Sequence, residues 1–359
     1  MSTSDSITIL ENLSNELIYD ILEYLQLYDA FECFYDLNER FQHLLLNSNL
    51  PLHIDIPSIS KSNFYRYLSH LILPHVDRIR SLQICIPFVD EIYSCLSPII
   101  SNMNRLKRLV IDHIESKFIE EILDHLPSLP LLSSLTIKSM DNDRISTDIY
   151  RKIFRLPALR YCQIRIKTKK YLRRLPMATN AFSPIEYLAI NNDVLSSELR
   201  ILLSYVPQLR RLSLSYLCGR PINLLHRNPL VLNHLTDVYL NLHSIHFHEF
   251  ELLVSCFLRQ VQILRFTSVS TYNSAPEMEY LNANRWQQLI VTYMPNLRIF
   301  DFQHQQHLYR PLVDRQSYQI EINKFKSSFW TEHHWFFDSQ YYKTTLFNYA
   351  IFYSTNPYR

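Results

Sequence analysis

Histidine and cysteine are the residues of this chain whose side chains could bind a metal ion. The closely spaced histidines form three groups: His243, His246 and His248; His304 and His307; His333 and His334. A structural zinc site needs four converging ligands, and cysteine or carboxylate normally belongs to the set. No cysteine lies near the second and third groups, and Cys256 lies apart from the first. We therefore expect no metal site and no cofactor.

The glycine content limits the catalytic motifs, because Gly219 is the only glycine among 359 residues. A usual frequency of about 7% would supply about 25. Phosphate-binding loops, dinucleotide-binding turns and nucleophile elbows each need several glycines, so none can form here. No Ser-His-Asp or Cys-His set can be named, although such sets are spatial and the sequence does not exclude one. We expect the protein not to be an enzyme.

The same shortage of glycine bears on the turns of the fold. Gly219 follows an apolar run that ends at Leu217, so we expect it in a turn. The other turns must avoid positive φ or place asparagine or aspartate there. Asn191, Asn192 and Asp193 are candidates for that role.

The overall charge favours no class of partner. The chain carries 36 Lys and Arg against 34 Asp and Glu, a net charge of +2. With 19% charged and 13% aromatic residues, the composition is typical of a folded chain. The start of the chain lacks the pattern of a signal peptide, and no apolar stretch approaches the ~18 residues of a membrane helix. Because the six cysteines are widely spaced, we expect reduced thiols, no membrane partner, and a cytoplasmic or nuclear location.

An internal repeat runs through the middle of the chain. Its unit is an apolar residue, two variable residues, an apolar residue, one variable residue and an apolar residue, as in Leu106-Leu109-Ile111. The central positions of nine units are residues 82, 109, 135, 162, 188, 212, 238, 264 and 300. Successive units are therefore 24–27 residues apart, except for a last interval of 36. The closing apolar pair predicts a short strand with one buried face.

Apolar residues with helical spacing lie between these strands. Ranges 119–126, 199–206 and 250–257 each place them at i, i+3, i+4 and i+7. Each unit is thus a strand and a helix that bury their apolar faces against neighbouring units. The period falls in the 20–29 residues of leucine-rich repeats, and residues 79–302 resemble that family. The resemblance implies an α/β fold: a curved solenoid of about nine repeats, with parallel strands inside and helices outside.

A different helical pattern precedes the repeats. An apolar stripe includes Leu13, Leu17, Ile18, Ile21, Leu22 and Leu25. Ser14 is a predicted N-cap of this helix. Asp29 and Glu32 have the spacing of a capping box for a second helix, which Ala30, Phe31, Phe34, Leu37, Phe41, Leu44 and Leu45 continue.

Residues 9–50 resemble an F-box, on the segment from Leu13 to Leu25, on Asp29, and on Leu37-Asn38-Glu39-Arg40-Phe41. Ser14 stands where the family usually has proline. The resemblance implies docking on a Skp-type adaptor and a cullin scaffold, while the repeats hold a protein substrate for a ubiquitin ligase. The implied adaptor-binding residues are Leu13, Ser14, Leu17, Ile18, Ile21, Leu22, Leu25, Asp29, Ala30 and Phe31. The alternatives are a helical cap over the first repeat and a binding scaffold without a ubiquitin-ligase link.

A substrate is expected on the strand face and on a basic segment. Ten basic residues and no acidic residue lie between Ile149 and Ile185, a segment that could receive an acidic or phosphorylated substrate or could be a solvated face. The candidate substrate-binding residues are Gln163, Arg165, Lys169, Lys170, Arg173, Arg174, Tyr187, Arg211, Tyr239 and Arg265. Nucleic acid is not expected, because the basic residues are confined to one or two repeats.

The remaining segments complete the expected organisation: a tail at 1–8, a helical connection at 51–78 and an aromatic-rich cap at 303–359. The long last interval places an inserted polar stretch at 268–284, which is either a loop on the binding face or a disordered connection. In the cap, Tyr318, Ile320 and Ile322 alternate as in a strand. Trp330, Trp335, Phe336 and Phe337 are expected in its core, with an exposed aromatic substrate pocket as the alternative.

Overall fold

A computed structural model describes residues 10–46, 51–56, 59–85, 89–139, 148–166, 177–178, 182–219, 230, 232–269, 278–308, 311–343 and 348–355. The chain divides into two compact units, Met1–Lys138 and Ser139–Arg359. Both units combine helices with parallel strands, so the protein belongs to the α/β class.

Three short helices begin the first unit: α1 (Asn15–Glu23), α2 (Leu27–Phe34) and α3 (Glu39–Leu46). The Ser14 side chain accepts a hydrogen bond from the backbone N–H of Leu17 at 3.4 Å, which confirms the predicted N-cap. The predicted capping box at Asp29 is wrong, because the N-cap of α2 is Gln26, three residues earlier, and Asp29 lies within the helix. The second helix is also not continuous. The Asn38 side chain accepts from the Phe41 N–H at 3.1 Å and so starts a new helix.

The rest of the first unit alternates strands and helices: β1 (Leu52–Ile56), α4 (Lys61–Tyr67), β2 (Ile79–Cys85), α5 (Val89–Ile100), β3 (Arg108–Ile114), α6 (Ser116–His125) and β4 (Ser134–Ser139). Strands β1 and β2 are parallel, as are β2 and β3. The segment expected to be a helical connection thus contains a strand. Ile54 of β1 pairs with Leu82 of β2, which pairs with Leu109 of β3, so β1 extends the repeated row by one position.

The second unit continues this alternation over most of its length: α7 (Asp148–Phe154), β5 (Tyr161–Arg165), β6 (Tyr187–Leu195), α8 (Ser196–Ser204), β7 (Arg211–Cys218), β8 (Asp237–His243), α9 (Phe247–Phe257), β9 (Ile263–Val269), α10 (Ala283–Tyr293) and β10 (Ile299–Leu308). Strands β5 to β10 are parallel neighbours in chain order. It ends with α11 (Pro311–Asn323), α12 (Ser328–Glu332), β11 (Phe337–Lys343) and β12 (Asn348–Ser354). Strand β12 pairs antiparallel with β10, and β11 with β12.

The repeated apolar positions form the core of the second unit. The strand register places one row side by side: Cys162, Leu188, Leu212, Val238, Leu264 and Phe300. The next row is Ile164, Ile190, Leu214, Leu240, Phe266 and Phe302. All twelve side chains are buried. The alternate residues of these strands therefore lie on the opposite, more exposed face.

The C-terminal segment differs from its predicted pattern in two respects. The alternating residues from 318 to 322 lie in α11, where Tyr318 and Ile322 are buried and Ile320 is exposed. The i, i+4 spacing of the two buried residues fits a helix face, so the expected strand is wrong. Trp330 and Trp335 are buried as expected, whereas Phe336 is 44% exposed.

The insertion at 268–284 is packed in part against the rest of the second unit, since the Tyr280 hydroxyl donates to the Ile245 carbonyl at 3.0 Å.

Gly219 lies where two turns approach each other. Its N–H donates to the His243 carbonyl at 3.1 Å, and a Cβ at this position would lie 2.1 Å from the Ser244 carbonyl oxygen. Its φ is not positive; the described residues with positive φ are His113, Ser244 and His334. Close backbone approach, rather than a left-handed turn, therefore requires this glycine. The expected positive φ at residues 191–193 is wrong, because these residues lie within β6.

His304 is a buried titratable group in the core of the second unit. Its Nδ1 lies 2.7 Å from the Ser268 hydroxyl, its ring stacks on Tyr280 at 5.3 Å, and burial lowers its pKa to about 3. An unfolded histidine has a pKa of about 6.5. Between those two pH values the unfolded chain binds more protons, so stability falls as the pH is lowered.

Between pH 7 and pH 5 the free energy of unfolding should fall by about 2 kcal/mol more in the native chain than in His304→Phe, which has no group to titrate at that position. Urea unfolding at the two pH values measures this difference. Equal pH dependence in both proteins would contradict the role of His304.

Candidate functional site

The N-terminal helices pack around a small apolar cluster of their own. Ile18, Phe41 and Leu44 are buried at its centre, with Leu13, Tyr19, Leu22 and Phe34 packed against them. The Arg40 guanidinium of α3 joins this cluster to the start of α1. It donates to the Leu13 carbonyl at 2.6 Å, to the Glu11 carbonyl at 2.6 Å and to the Asn15 side chain at 3.0 Å. Arg40 therefore fixes the orientation of α1 relative to α3.

The implied adaptor-binding residues divide into three groups by exposure. Ser14, Leu17, Leu25 and Asp29 are exposed, and Leu13, Ile21 and Leu22 are half-buried. Ile18, Ala30 and Phe31 are buried within this chain. The exposed and half-buried residues are thus available at the surface, whereas the buried ones hold the helices in place.

Sequence reasoning missed the most exposed aromatic residue of this segment. Tyr24, which follows α1, is 91% exposed. It lies beside Leu25 and about two helical turns beyond Leu17, which is 50% exposed. Large apolar side chains left in water beside one another commonly mark an interaction surface. The sequence signal was present in the run Tyr24-Leu25, but a helical stripe alone does not tell which of its members face outward.

A groove of about 470 Å³ adjoins this exposed edge, between α1, α2, α3 and β1. Its lining is mostly apolar, with a few polar groups: Tyr19, Leu22, Glu23, Leu25, Gln26, Leu27, Ala30, Leu44, Leu45, Pro51, Leu52, His53 and Asp55. Burial raises the pKa of Asp55, against a smaller opposing effect of Arg108. Three of the implied adaptor-binding residues, Leu22, Leu25 and Ala30, line this groove.

The exposed strand face of the second unit carries the other candidate residues. Gln163 and Arg165 lie on β5, Tyr187 on β6, Arg211 on β7, Tyr239 on β8 and Arg265 on β9. Register places Tyr187 beside Arg211, and Tyr239 beside Arg265. The structure thus collects six predicted residues on one sheet. The other four, Lys169, Lys170, Arg173 and Arg174, lie outside the described residues.

Two carboxylates, Glu186 just before β6 and Asp237 on β8, are each shared by two arginines. Glu186 lies 3.5 Å from Arg160 Nη1 and 3.3 Å from Arg210 Nε. Asp237 lies 3.8 Å from Arg211 Nε and 3.3 Å from Arg265 Nη1. One carboxylate can neutralise only one guanidinium, so the group around Glu186 keeps a positive charge, whereas Arg265 also interacts with Asp301.

An aromatic pair lies on the same face. The rings of Tyr161 and Tyr187 are stacked, with centroids 4.4 Å apart and planes 9° apart. The Tyr161 hydroxyl donates to Gln163 at 3.1 Å. Two neighbouring strands therefore present a flat ring pair next to Arg211. Such ring surfaces are enriched where proteins bind other proteins.

The histidine groups have packing roles in the described structure. His243 stacks on Tyr216 at 4.8 Å, and burial lowers the pKa of His243 against a smaller effect of Asp193. His246 stacks on His248 at 5.6 Å. Among the described residues, no three or more His, Cys, Asp or Glu side chains come together as a metal ion would require. All six cysteines are free thiols.

None of the helices that the structure describes has both the length and the apolar character needed to cross a bilayer. Compared with models of known protein families and with curated proteins, the chain matches none.

Proposed function

We propose that this protein is the substrate-recognition subunit of a cullin-based ubiquitin ligase of the F-box and leucine-rich-repeat type. Its N-terminal helices would dock on a Skp-type adaptor, and its strand–helix repeats, as a curved solenoid, would hold a protein substrate. The exposed apolar edge of Leu17, Tyr24 and Leu25 carries this proposal, since a helical cap that only covered a repeat would bury such residues. The protein would form no bond itself; with two binding sites in one chain, it would bring a substrate close to a ubiquitin-loaded enzyme. Such a complex acts in the cytoplasm or nucleus.

The order of the segments also supports the proposal. The three short helices precede β1, and parallel strands with intervening helices follow. In each unit the strands that pair in parallel are neighbours in the sequence, as expected when each repeat stacks only on the next.

A repeat scaffold without a ligase link is the second candidate, and contacts of α2 favour it. Phe31 packs edge-on against Tyr67 at 5.3 Å, and the Arg66 guanidinium lies 5.2 Å from the Phe31 ring. Arg66 also pairs with Glu32 at 3.4 Å. These contacts hold α2 against α4, as a helical cap of the repeats would require. The exposed edge of α1 is not explained by that role.

Adaptor binding separates the two candidates. We expect Leu17→Asp/Leu25→Asp to weaken retention of the full-length chain on an immobilised Skp-type adaptor at least about ten-fold, because apolar anchors near an interface centre contribute most of its energy. Ile18 is unsuitable for this test, since it is buried and a charge there would unfold the helices.

The matched control is Val291→Asp/Ile320→Asp, which places the same charges at two helical positions that are 60% and 61% exposed in the second unit. Circular dichroism should show the same helix content in both double variants. Adaptor binding that is absent in the native chain, or equal in both variants, would reject the ligase proposal in favour of the scaffold.

A further inference from the structure

Positive charge is concentrated on one end of the exposed strand face. On and beside β5 to β7 lie Arg160, Arg165, Arg210 and Arg211, all exposed, against two carboxylates, Glu186 and Asp193. The next strands alternate in sign, with Asp237 on β8, Arg265 on β9 and Asp301 on β10. The basic excess therefore belongs to β5–β7, while β8–β10 are close to balanced.

The excess surrounds the stacked pair of Tyr161 and Tyr187. Tyr187 is paired in register with Tyr161 on one side and with Arg211 on the other. Arg165 is four residues beyond Tyr161 on the same strand face, about 13 Å away at the rise of a strand. A ligand lying on the two rings would thus have Arg211 next to Tyr187 on the neighbouring strand, and Arg165 beyond Tyr161 along the same strand.

The size of this region limits the ligand. Three neighbouring strands span only about 10 Å, because strands are about 4.8 Å apart. The carboxylates of Glu186 and Asp237 border it, and they would repel a continuous run of phosphates such as a nucleic acid carries. The same carboxylates repel the nearly double charge of a phosphate more than the single charge of a side-chain carboxylate, so separate carboxylates along a peptide fit this surface better.

We propose that this surface binds a short acidic peptide segment of a partner protein, with an aromatic side chain resting on Tyr161 and Tyr187 and carboxylates on Arg165 and Arg211. The inference names the substrate class of the proposed ligase subunit and rests on that function. Carboxylate–guanidinium contacts are charge-assisted hydrogen bonds, and the ring contact adds an offset-stacked or edge-on aromatic pair.

Fluorescence anisotropy of the full-length chain tests this. The probe is a fluorescein-labelled decapeptide of alternating glutamate and serine with one central tyrosine. We expect Arg165→Gln/Arg211→Gln to weaken binding about ten-fold or more, because two charge-assisted contacts are lost. We expect Tyr187→Ala to weaken binding about five-fold for this probe and little for a probe with serine in place of tyrosine.

Arg259→Gln is the matched control, since Arg259 is an exposed arginine just after α9 and should leave binding unchanged. No binding of the acidic probe, or equal loss in the control, would overturn the proposal. Tighter binding of single-stranded RNA than of the probe, or binding only when the serines are phosphorylated, would also overturn it. This assay contains no adaptor. A negative result here therefore does not change the result of the adaptor-binding test, and a negative adaptor-binding test does not change the result of this assay.

Discussion

Replacing Trp286 with alanine is expected to destabilise the second unit by about 4 kcal/mol, the range found when a buried aromatic is truncated. Trp286 of α10 is fully buried. Its ring lies 5.0–5.5 Å from five phenylalanine rings of α9, β9 and β10: Phe247, Phe250, Phe266, Phe300 and Phe302. Its Nε1 donates to the Tyr280 carbonyl at 2.9 Å. The substitution therefore removes both a large apolar volume and the hydrogen bond that holds the insertion.

Urea unfolding measured by the fluorescence of Trp330 and Trp335, both in the second unit, would report the loss. Trp286→Phe should lose less than half as much unfolding free energy as Trp286→Ala, because phenylalanine keeps most of the side-chain volume. Val291→Ala, on the same helix but 60% exposed, should shift the transition by less than about 0.5 kcal/mol. A shift for Trp286→Ala no larger than that of Val291→Ala would show that the aromatic cluster is not the core.

Gly219→Ala is expected to destabilise the second unit by about 3 kcal/mol through steric overlap. The added Cβ would meet only backbone: the Ser244 carbonyl oxygen at 2.1 Å, the Ser244 carbonyl carbon at 3.0 Å and Ile245 Cα at 3.2 Å. Relief of the overlap would separate the turns after β7 and β8 and lengthen the bond from the Gly219 N–H to the His243 carbonyl, which is 3.1 Å now.

The sign of the effect is decisive. At a position without steric conflict, glycine to alanine stabilises a protein by about 0.4–1 kcal/mol, because the unfolded chain loses freedom. Thermal or urea unfolding of Gly219→Ala beside Cys218→Ala, a truncation at the neighbouring half-buried residue, measures the difference. A variant as stable as the native chain would mean that the two turns are not in contact.

The strands and helices of the repeats follow from local patterns, so the sequence predicts them well. All nine predicted strand positions lie in strands of the structure. Strand β1 escaped detection although Ile54 is 28 residues before Leu82, close to the period. The reason is Pro51, which occupies the first position of the unit, where the pattern requires an apolar residue such as leucine. The helix at 318–322 was missed because three apolar residues at alternate positions fit a strand until the partner surface is known.

The candidate surfaces were predictable only in outline. The apolar stripe of α1 was clear, yet Leu17 is exposed and its neighbour Ile18 is buried. That difference depends on where α2 and α3 lie, which is tertiary information. The shared carboxylates are likewise invisible in sequence, since Glu186 meets arginines 26 and 24 residues away. Residue types were therefore foreseeable, but their pairing was not.

The antiparallel strands β12 and β11 at the end of the second unit determine where strand–helix units can be added to the chain or lost from it. From β5 to β10 every strand runs the same way, so a strand–helix unit could be added or removed between them and the register would be kept. Beyond β10 the order is β12 and then β11; β12 runs against the repeats, and β11, antiparallel to β12, runs with them again. A further unit placed beside β11 would meet a strand with no buried residue, so the buried row of the repeats would not continue. Strand–helix units can therefore be duplicated or lost between β5 and β10, whereas β12 and β11 end the series of repeats.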